Sequence, residues 1–109
     1  MKSPMTAEAA DLIARRFLAL SDPTRLRLID LLRTREEASV RELTEALETS
    51  QQNVSKHLST LHAEGFVSRR KQGTSVLYAL SDPAVIELCE RVCGGIEAQL
   101  EELERALRG

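Results

Sequence analysis

The stretch SQQNVSKHLSTLHAEG, residues 50–65, decides the fold of this chain. Val54, Leu58 and Leu61 recur at spacings of four and three residues, which places them on one face of a helix. Gly65 follows at the position where a helix ends in a left-handed residue, a conformation that favours glycine. The spacing therefore predicts a helix over about residues 50–64, with its apolar stripe directed into a core.

The face opposite that stripe carries short or amide side chains instead of the long charged ones of an ordinary solvated helix. At 100° per residue, Gln52, Lys56 and Ser59 lie on this face, and Ser55 flanks it. Such a surface fits a DNA major groove and can exchange hydrogen bonds with base edges. Gln51, in the first turn, can reach a phosphate. These five residues are the candidate contacts of a DNA recognition helix.

The residues just before this helix predict another, shorter helix. Ser39 and Glu42 have the S-x-x-E spacing of a capping box, which marks a helix start. Residues 48–49 then form a tight turn, and Ser50 caps the recognition helix. Two short helices joined by such a turn indicate a helix-turn-helix.

The residues after the recognition helix change period and predict a hairpin. Residues 66–71 and 75–80 form two strands around the turn at 72–74, so the hairpin spans about 66–80. Three consecutive cations and an amide lie on it, and they suit phosphate or minor-groove contact: Arg69, Arg70, Lys71 and Gln72. The alternative interpretation is an edge strand that its charges protect from aggregation. Beside the recognition helix, the hairpin is better interpreted as the wing of a winged helix-turn-helix.

The remaining sequence completes a mainly helical domain. We predict a first helix over about 6–20, a second helix that starts at Asp22-Pro23, and a last helix over about 82–107. In the second helix the apolar residues predicted to point inward are Leu26, Leu28, Ile29 and Leu32. The predicted fold has five helices, with a two-stranded wing between the fourth and the fifth, in one winged helix-turn-helix DNA-binding domain over residues 1–109.

Charge and composition exclude several classes of protein. The net charge is −2, yet residues 50–79 hold four cations against one carboxylate, so the positive charge is local and central. No apolar run is long enough to span a membrane, and residues 1–5 lack the apolar core of a secretion signal, so we expect a cytoplasmic protein. The chain shows no set of nucleophile, base and acid, so we expect no enzyme.

An apolar stripe along the last helix predicts a homodimer. Its members follow alternating spacings of four and three residues, typical of a seam between helices: Val85, Cys89, Val92, Ile96, Leu100, Leu103 and Leu107. The first helix adds Leu12, Ile13 and Phe17. One small domain would have difficulty covering both stripes. The pair Gly94-Gly95 inside this helix indicates either a bend or a close approach of two backbones.

Five stretches, residues 21–29, 40–43, 50–58, 61–67 and 70–73, resemble the ArsR/SmtB family of bacterial repressors in order and spacing. The resemblance implies a dimer through the first and last helices, bound to an inverted-repeat operator in double-stranded DNA and released by an inducer. It implies recognition-helix contacts from Gln51, Gln52, Ser55 and Lys56. It implies wing contacts from Arg70, Lys71 and Gln72. The alternative is a protein-interaction module that uses the same fold without binding DNA.

The inducer is not evident from the familiar metal sites of that family. One site uses cysteine and aspartate near the third helix, where this chain has Ser39-Val40-Arg41-Glu42. The other uses the last helix, where Asp82 matches but Ala84, Gly95 and Ala98 occupy the other positions. Both zinc-type sites are therefore excluded, and Asp82 is better explained as a helix cap.

The two cysteines, Cys89 and Cys93, are the remaining candidate sensors. A spacing of four residues places both thiols on one helix face, within reach of one soft metal or metalloid ion. Two thiols are too few for a closed site, but a dimer offers four. A thiol redox switch, through an intersubunit disulfide or a persulfide, is a second interpretation. The third is that both are small buried residues of the dimer seam.

Overall fold

The structure, a computed structural model, describes residues 4–109, apart from the side chain of Cys93. Its elements follow one another in the order α1 (Ala7–Leu20), α2 (Pro23–Arg35), β1 (Ala38–Ser39), α3 (Val40–Leu47), α4 (Gln51–Ala63), β2 (Val67–Gln72), β3 (Ser75–Leu80) and α5 (Pro83–Arg108). No helix in this part of the chain is long and apolar enough to cross a membrane.

Every helix begins at a side chain that accepts a hydrogen bond from the first turn. The caps are Thr6 for α1, Asp22 for α2, Ser39 for α3, Ser50 for α4 and Asp82 for α5. Such caps satisfy backbone N–H groups that the helix itself leaves unpaired. The predicted helix starts are confirmed, including the reciprocal capping box of Ser39 and Glu42. They could be predicted because a cap depends on residues three or fewer apart.

The wing is a three-stranded antiparallel sheet in the order β1-β3-β2. The prediction of two strands was incomplete, because β1 has only two residues and pairs Ala38 with Tyr78 and Ser39 with Leu77. A two-residue strand is too short to show an alternating pattern in the sequence. It joins the wing to the end of α2, so the base of the hairpin is held by the helical part of the protein.

The core lies between α2, α3, α4 and the inner face of the sheet. Its most buried side chains are Leu28, Ile29, Leu32, Leu43, Val54, Leu58 and Leu61. The prediction for Leu26 was wrong, because this side chain is 44% exposed. Leu28, Ile29 and Leu32 already fill the inward face of α2, and a step of two residues from Leu28 turns Leu26 about 160° away from it.

The helix α5 begins on this core and then leaves it. Val85 is only 2% exposed and belongs to the core of the protomer. It therefore has little surface to offer a second chain, contrary to its predicted place in a dimer seam. Beyond it α5 continues as one helix through Gly94 and Gly95. A Cβ atom built on either glycine would meet no atom within 4 Å, so neither position is a close backbone approach within the described protomer.

Candidate nucleic-acid interface

A tight turn sets the angle between α3 and α4. Glu48 ends α3 in the left-handed conformation, with φ of 55°. Ser50 Oγ accepts from the backbone N–H of Asn53 at 3.1 Å, and the Asn53 side chain donates to Thr49 Oγ1 at 3.2 Å. The turn and the first turn of α4 are therefore joined by side-chain hydrogen bonds, which stabilises the helix-turn-helix at its bend.

The two faces of α4 differ as the sequence predicts. Val54, Leu58 and Leu61 are 0% exposed. The five candidate contacts on the other side are all exposed and form one continuous polar surface: Gln51, Gln52, Ser55, Lys56 and Ser59. Glutamine and serine side chains can donate and accept at base edges, and Lys56 adds one positive charge. The structure thus brings together all five residues that the sequence assigned to the recognition helix.

A buried histidine on the inner side of α4 takes part in a polar cluster that also includes α1 and α2. His57, 7% exposed, meets Arg25 of α2, and its Nδ1 atom lies 3.0 Å from the Arg25 guanidinium. Because arginine has only donors, His57 Nδ1 must be the acceptor. The same guanidinium donates to the backbone carbonyls of Leu18 and Ala19 at the end of α1. One side chain therefore connects α1, α2 and α4.

Asp22 completes this cluster. Its carboxylate caps α2 by accepting from the backbone N–H of Arg25 at 3.0 Å, and it lies 3.8 Å from His57 Nδ1. The hydrogen bond from the Arg25 backbone, with the positive charge of Arg25, holds the pKa of Asp22 below its usual value, although desolvation opposes the shift. The orientation of α4 thus rests on polar contacts as well as on apolar packing.

The cations of the wing are divided between the two faces of the hairpin. In a strand, successive side chains point to opposite faces. Arg69 and Lys71 share the face of β2 that also carries buried Val67, whereas Arg70 and Gln72 lie on the other face. The turn that follows has two residues, and Gly73 has φ of 63°, a conformation suited to a tight hairpin. All four predicted wing residues are exposed.

Arg70 pairs with a residue that the sequence did not single out. Its Nε and Nη2 atoms donate to the two carboxylate oxygens of Glu37, at 2.7 and 2.8 Å. These hydrogen bonds hold the pKa of Glu37 below its usual value and raise the pKa of Arg70. Arg70 also donates to the Gln72 side chain at 3.4 Å. No signal in the sequence pointed to Glu37, since it lies 33 residues away in a polar stretch. Arg25 was visible only as part of a family motif.

The candidate sensor residues lie on α5. Cys89 is half-buried and lines a groove of about 400 Å³ between α2 and α5. Leu26 and Asp30 form the opposite wall, and Glu90 and Glu97 lie on the same helix as the thiol. The side chain of Cys93 lies outside the described residues. Among the side chains that are described, no group of three or more His, Cys, Asp or Glu could hold a metal ion.

A second surface, on α1 and α5, is apolar and half-exposed. We call it the α1–α5 stripe. The α5 members Val92, Ile96, Leu100 and Leu103 are between 50% and 56% exposed, and the α1 members are Leu12, Phe17 and the half-buried Ile13. Leaving a side chain of this size in water instead of burying it fully costs about 1.5–3 kcal/mol. The stripe is therefore a surface that a partner would cover.

Comparison with known proteins agrees with this geometry. A family model described as bacterial regulatory protein, arsR family, matches residues 22–69. A probable mercury resistance operon repressor of Streptomyces lividans is 42% identical over 98 residues, which cover 81% of this chain and 78% of that protein.

Solved structures of the same kind superpose over nearly the whole chain. The AntR antimony-specific transcriptional repressor gives a TM-score of 0.80 at 26% identity, over 92% of this chain and 90% of that one. A homodimeric winged helix-turn-helix DNA-binding domain from Mycobacterium bovis gives 0.76 at 29% identity, over 94% and 95%. The fold is therefore a winged helix-turn-helix.

Proposed function

Because the chain belongs to the arsR family of bacterial regulatory proteins, whose members are DNA-binding transcriptional regulators, we propose that it represses transcription as a homodimer on an inverted-repeat operator. Residues 1–109 act in the cytoplasm as one winged helix-turn-helix domain. The observation that carries this proposal is the exposed polar face of α4, opposite the buried apolar stripe of the same helix, together with the exposed cations of the wing.

In this proposal α4 enters the major groove and the wing follows the backbone beside it. Gln52, Ser55 and Ser59 read base edges, while Gln51 and Lys56 contact phosphates at the groove margin. On the wing, Arg69 and Lys71 supply the positive charge, and Gln72 lies next to the hairpin tip. Since few cations face the DNA, affinity depends on a small number of well-placed contacts instead of a broad positive field.

The proposal is tested by DNA binding to the protein's own promoter region at several salt concentrations. Lys56→Ala should weaken binding and reduce the slope of log affinity against log salt by about 0.9, as for one lost phosphate contact. Gln52→Ala should weaken binding to the operator more than to unrelated DNA.

The matched control is Gln99→Ala, because Gln99 is an exposed glutamine on α5. If Gln52→Ala and Lys56→Ala both bind as tightly as the control, α4 does not enter the groove. DNA binding that hardly depends on salt would favour a protein-interaction module.

The homodimer forms through the α1–α5 stripe. What supports this is the exposure of its large apolar side chains together with the homodimeric state of the similar Mycobacterium bovis domain. A dimer with two-fold symmetry places two α4 helices on successive major grooves, which explains an inverted-repeat site. Cys89 lies at the edge of this stripe, on the side that faces α2.

The inducer in this proposal is a soft metal or metalloid ion that the thiols of Cys89 and Cys93 bind. Thiolates are the ligands that soft ions prefer, and two similar proteins are named for mercury resistance and for antimony. The described side chains of one protomer do not form a complete ligand set. A site of three or four thiolates would take thiols from both protomers of the dimer.

A release assay tests the sensor separately from DNA binding. Cys89→Ser and Cys93→Ser should each bind the operator like the unchanged protein and fail to release it when mercury(II), arsenite or antimonite is added. Native mass spectrometry should show the mass of the bound ion in the unchanged dimer alone. Release by an oxidant only would replace the ion site with a redox switch. If both variants respond like the unchanged protein, the cysteines only pack.

A further inference from the structure

The middle cation of the wing turns its charge away from the hairpin tip. Arg70 of β2 lies opposite Leu77 of β3, and on the other side of β3 the same Leu77 lies opposite Ser39 of β1. Glu37 precedes β1, so the Arg70–Glu37 pair spans the outer face of the central strand and joins the two outer strands. Arg70 therefore points back to the end of α2.

Glu37 is held there by a strained turn. The preceding residue, Glu36, has φ of 65° and ψ of −57°, and the Glu37 backbone N–H donates to the Arg35 carbonyl at 2.7 Å. These values define a γ-turn with positive φ, a rare conformation that is strained for a residue other than glycine. Such strain persists only where the surrounding structure holds it. Here the β1–β3 pairing and the two hydrogen bonds from Arg70 are the contacts that hold it.

The pair also occupies one of the two edges of the Arg70 guanidinium that could bind a phosphate. A guanidinium binds carboxylate or phosphate through two parallel N–H groups. In Arg70 the edge formed by Nε and Nη2 already donates to Glu37, so only the end-on edge formed by Nη1 and Nη2 remains for a second oxyanion. The negative charge of Glu37 also offsets the positive charge of Arg70. On the opposite face of β2, Arg69 and Lys71 are both exposed, and no carboxylate in residues 4–109 forms an ion pair with either of them.

We propose that Arg70 is a positioning residue and not a phosphate contact. Paired with Glu37, it ties the wing to the end of α2 and sets where the hairpin lies relative to α4. Arg69 and Lys71 then carry the phosphate contacts of the wing. This inference rests on the proposed function of the wing, and it assigns Glu37, a residue with no expected role, to the DNA-binding machinery. Exposed ion pairs stabilise a fold little, so the effect is on DNA binding and not on folding.

The test compares Arg70→Gln, Glu37→Gln and the double variant with Arg69→Gln and Lys71→Gln as matched losses of a wing cation. Affinity for the operator is measured between about 50 and 200 mM salt, where each phosphate contact contributes about 0.9 to the slope. Arg69→Gln and Lys71→Gln should each reduce the slope by about that amount. Arg70→Gln and Glu37→Gln should weaken binding by a similar factor, about three- to tenfold, and leave the slope unchanged. The double variant should be no weaker than either single one.

A charge-preserving variant separates position from charge. Arg70→Lys keeps the positive charge but cannot form the two parallel hydrogen bonds, so it should behave like Arg70→Gln. Thermal unfolding should be the same for all these variants, which shows that each one folds.

Three outcomes would overturn the inference, and the third of them would contradict the proposed function of the wing as well. If Glu37→Gln tightens binding and Arg70→Gln reduces the slope by about 0.9, Arg70 is a phosphate contact that Glu37 screens. If neither variant changes affinity, the pair has no role in binding. If Arg69→Gln and Lys71→Gln also leave the slope unchanged, the wing does not touch DNA, and the proposed wing function fails together with the inference.

Discussion

The helices α4 and α5 carry apolar stripes of similar spacing, but the two stripes differ in how far they are buried. In α4 the stripe of Val54, Leu58 and Leu61 is completely buried within the protomer. In α5 the stripe from Val92 to Leu103 is about half exposed. The position of α4 is therefore decided inside one chain, whereas α5 is left for a second chain to cover. The helix that we propose to read DNA is thus packed within one protomer, whereas the helix that we propose to join two protomers depends on assembly.

The largest expected effect separates the two stripes by truncating the same residue type in each. Leu58→Ala should lower the free energy of unfolding by about 2–5 kcal/mol at any protein concentration, because it leaves a cavity in the core. Leu100→Ala should act mainly on assembly, with a dimer dissociation constant raised at least about tenfold. Urea unfolding at two protein concentrations and sedimentation equilibrium measure the two effects. Equal losses at every concentration would mean that α5 also packs within one chain.

The polar cluster beneath α4 gives the next effect in size. His57→Leu removes the acceptor of the Arg25 guanidinium while keeping a side chain of similar volume. It should lower the free energy of unfolding by about 1–3 kcal/mol, the range for a buried hydrogen bond left half-made. His62→Leu, at a half-buried position on the same helix, is the control and should cost less than His57→Leu, because it leaves the Arg25 guanidinium with its acceptor. Similar losses for the two histidines would show that the Arg25–His57 contact does not position α4.

A glycine of α5 sharpens the comparison from the other side. Gly94 lies two residues, or about 200°, from Val92, and so opposite the α1–α5 stripe. Gly94→Ala should stabilise the helix by about 1 kcal/mol, since an added Cβ meets no atom within 4 Å. The dimer dissociation constant should stay the same. A weaker dimer would place the partner on a different face of α5.

The smallest expected effect is on the stability that Asp22, the cap of α2, contributes at different pH values. The folded pKa of Asp22 is lower than its unfolded value of 3.8. The stability it contributes is therefore fully present above the unfolded pKa and is lost as the pH falls through the folded pKa. Asp22→Asn keeps the capping acceptor, so it should cost about 0.3–1 kcal/mol at pH 7 and nothing once the pH lies below both pKa values. Urea unfolding across this range, with Asp11→Asn as control, measures the difference. A constant loss at all pH values would contradict the lowered pKa.

Most of the helical architecture could be predicted because its signals are local. Capping pairs such as Ser39 with Glu42 lie three residues apart, and the stripe of α4 repeats within one helix, so neither depends on the rest of the chain. The prediction failed where the outcome depended on competition between elements. Leu26 has the same apolar character as Leu28, yet only one of them can face the core. Val85 fits the spacing of the α5 stripe but is buried before the stripe begins.

The sequence by itself determined a helix-turn-helix with a polar reading face on α4 and a long apolar seam on α5, since both follow from the 3.6-residue period of a helix. Only the tertiary structure decided which polar groups meet. Arg25 finds His57 across 32 residues, and Arg70 finds Glu37 across 33. No local pattern encodes such pairs, because the first depends on how α2 packs against α4 and the second on how the wing packs against the segment before β1. That packing placed Arg69 and Lys71 on one face of the wing and turned Arg70 to the other face, where it pairs with Glu37.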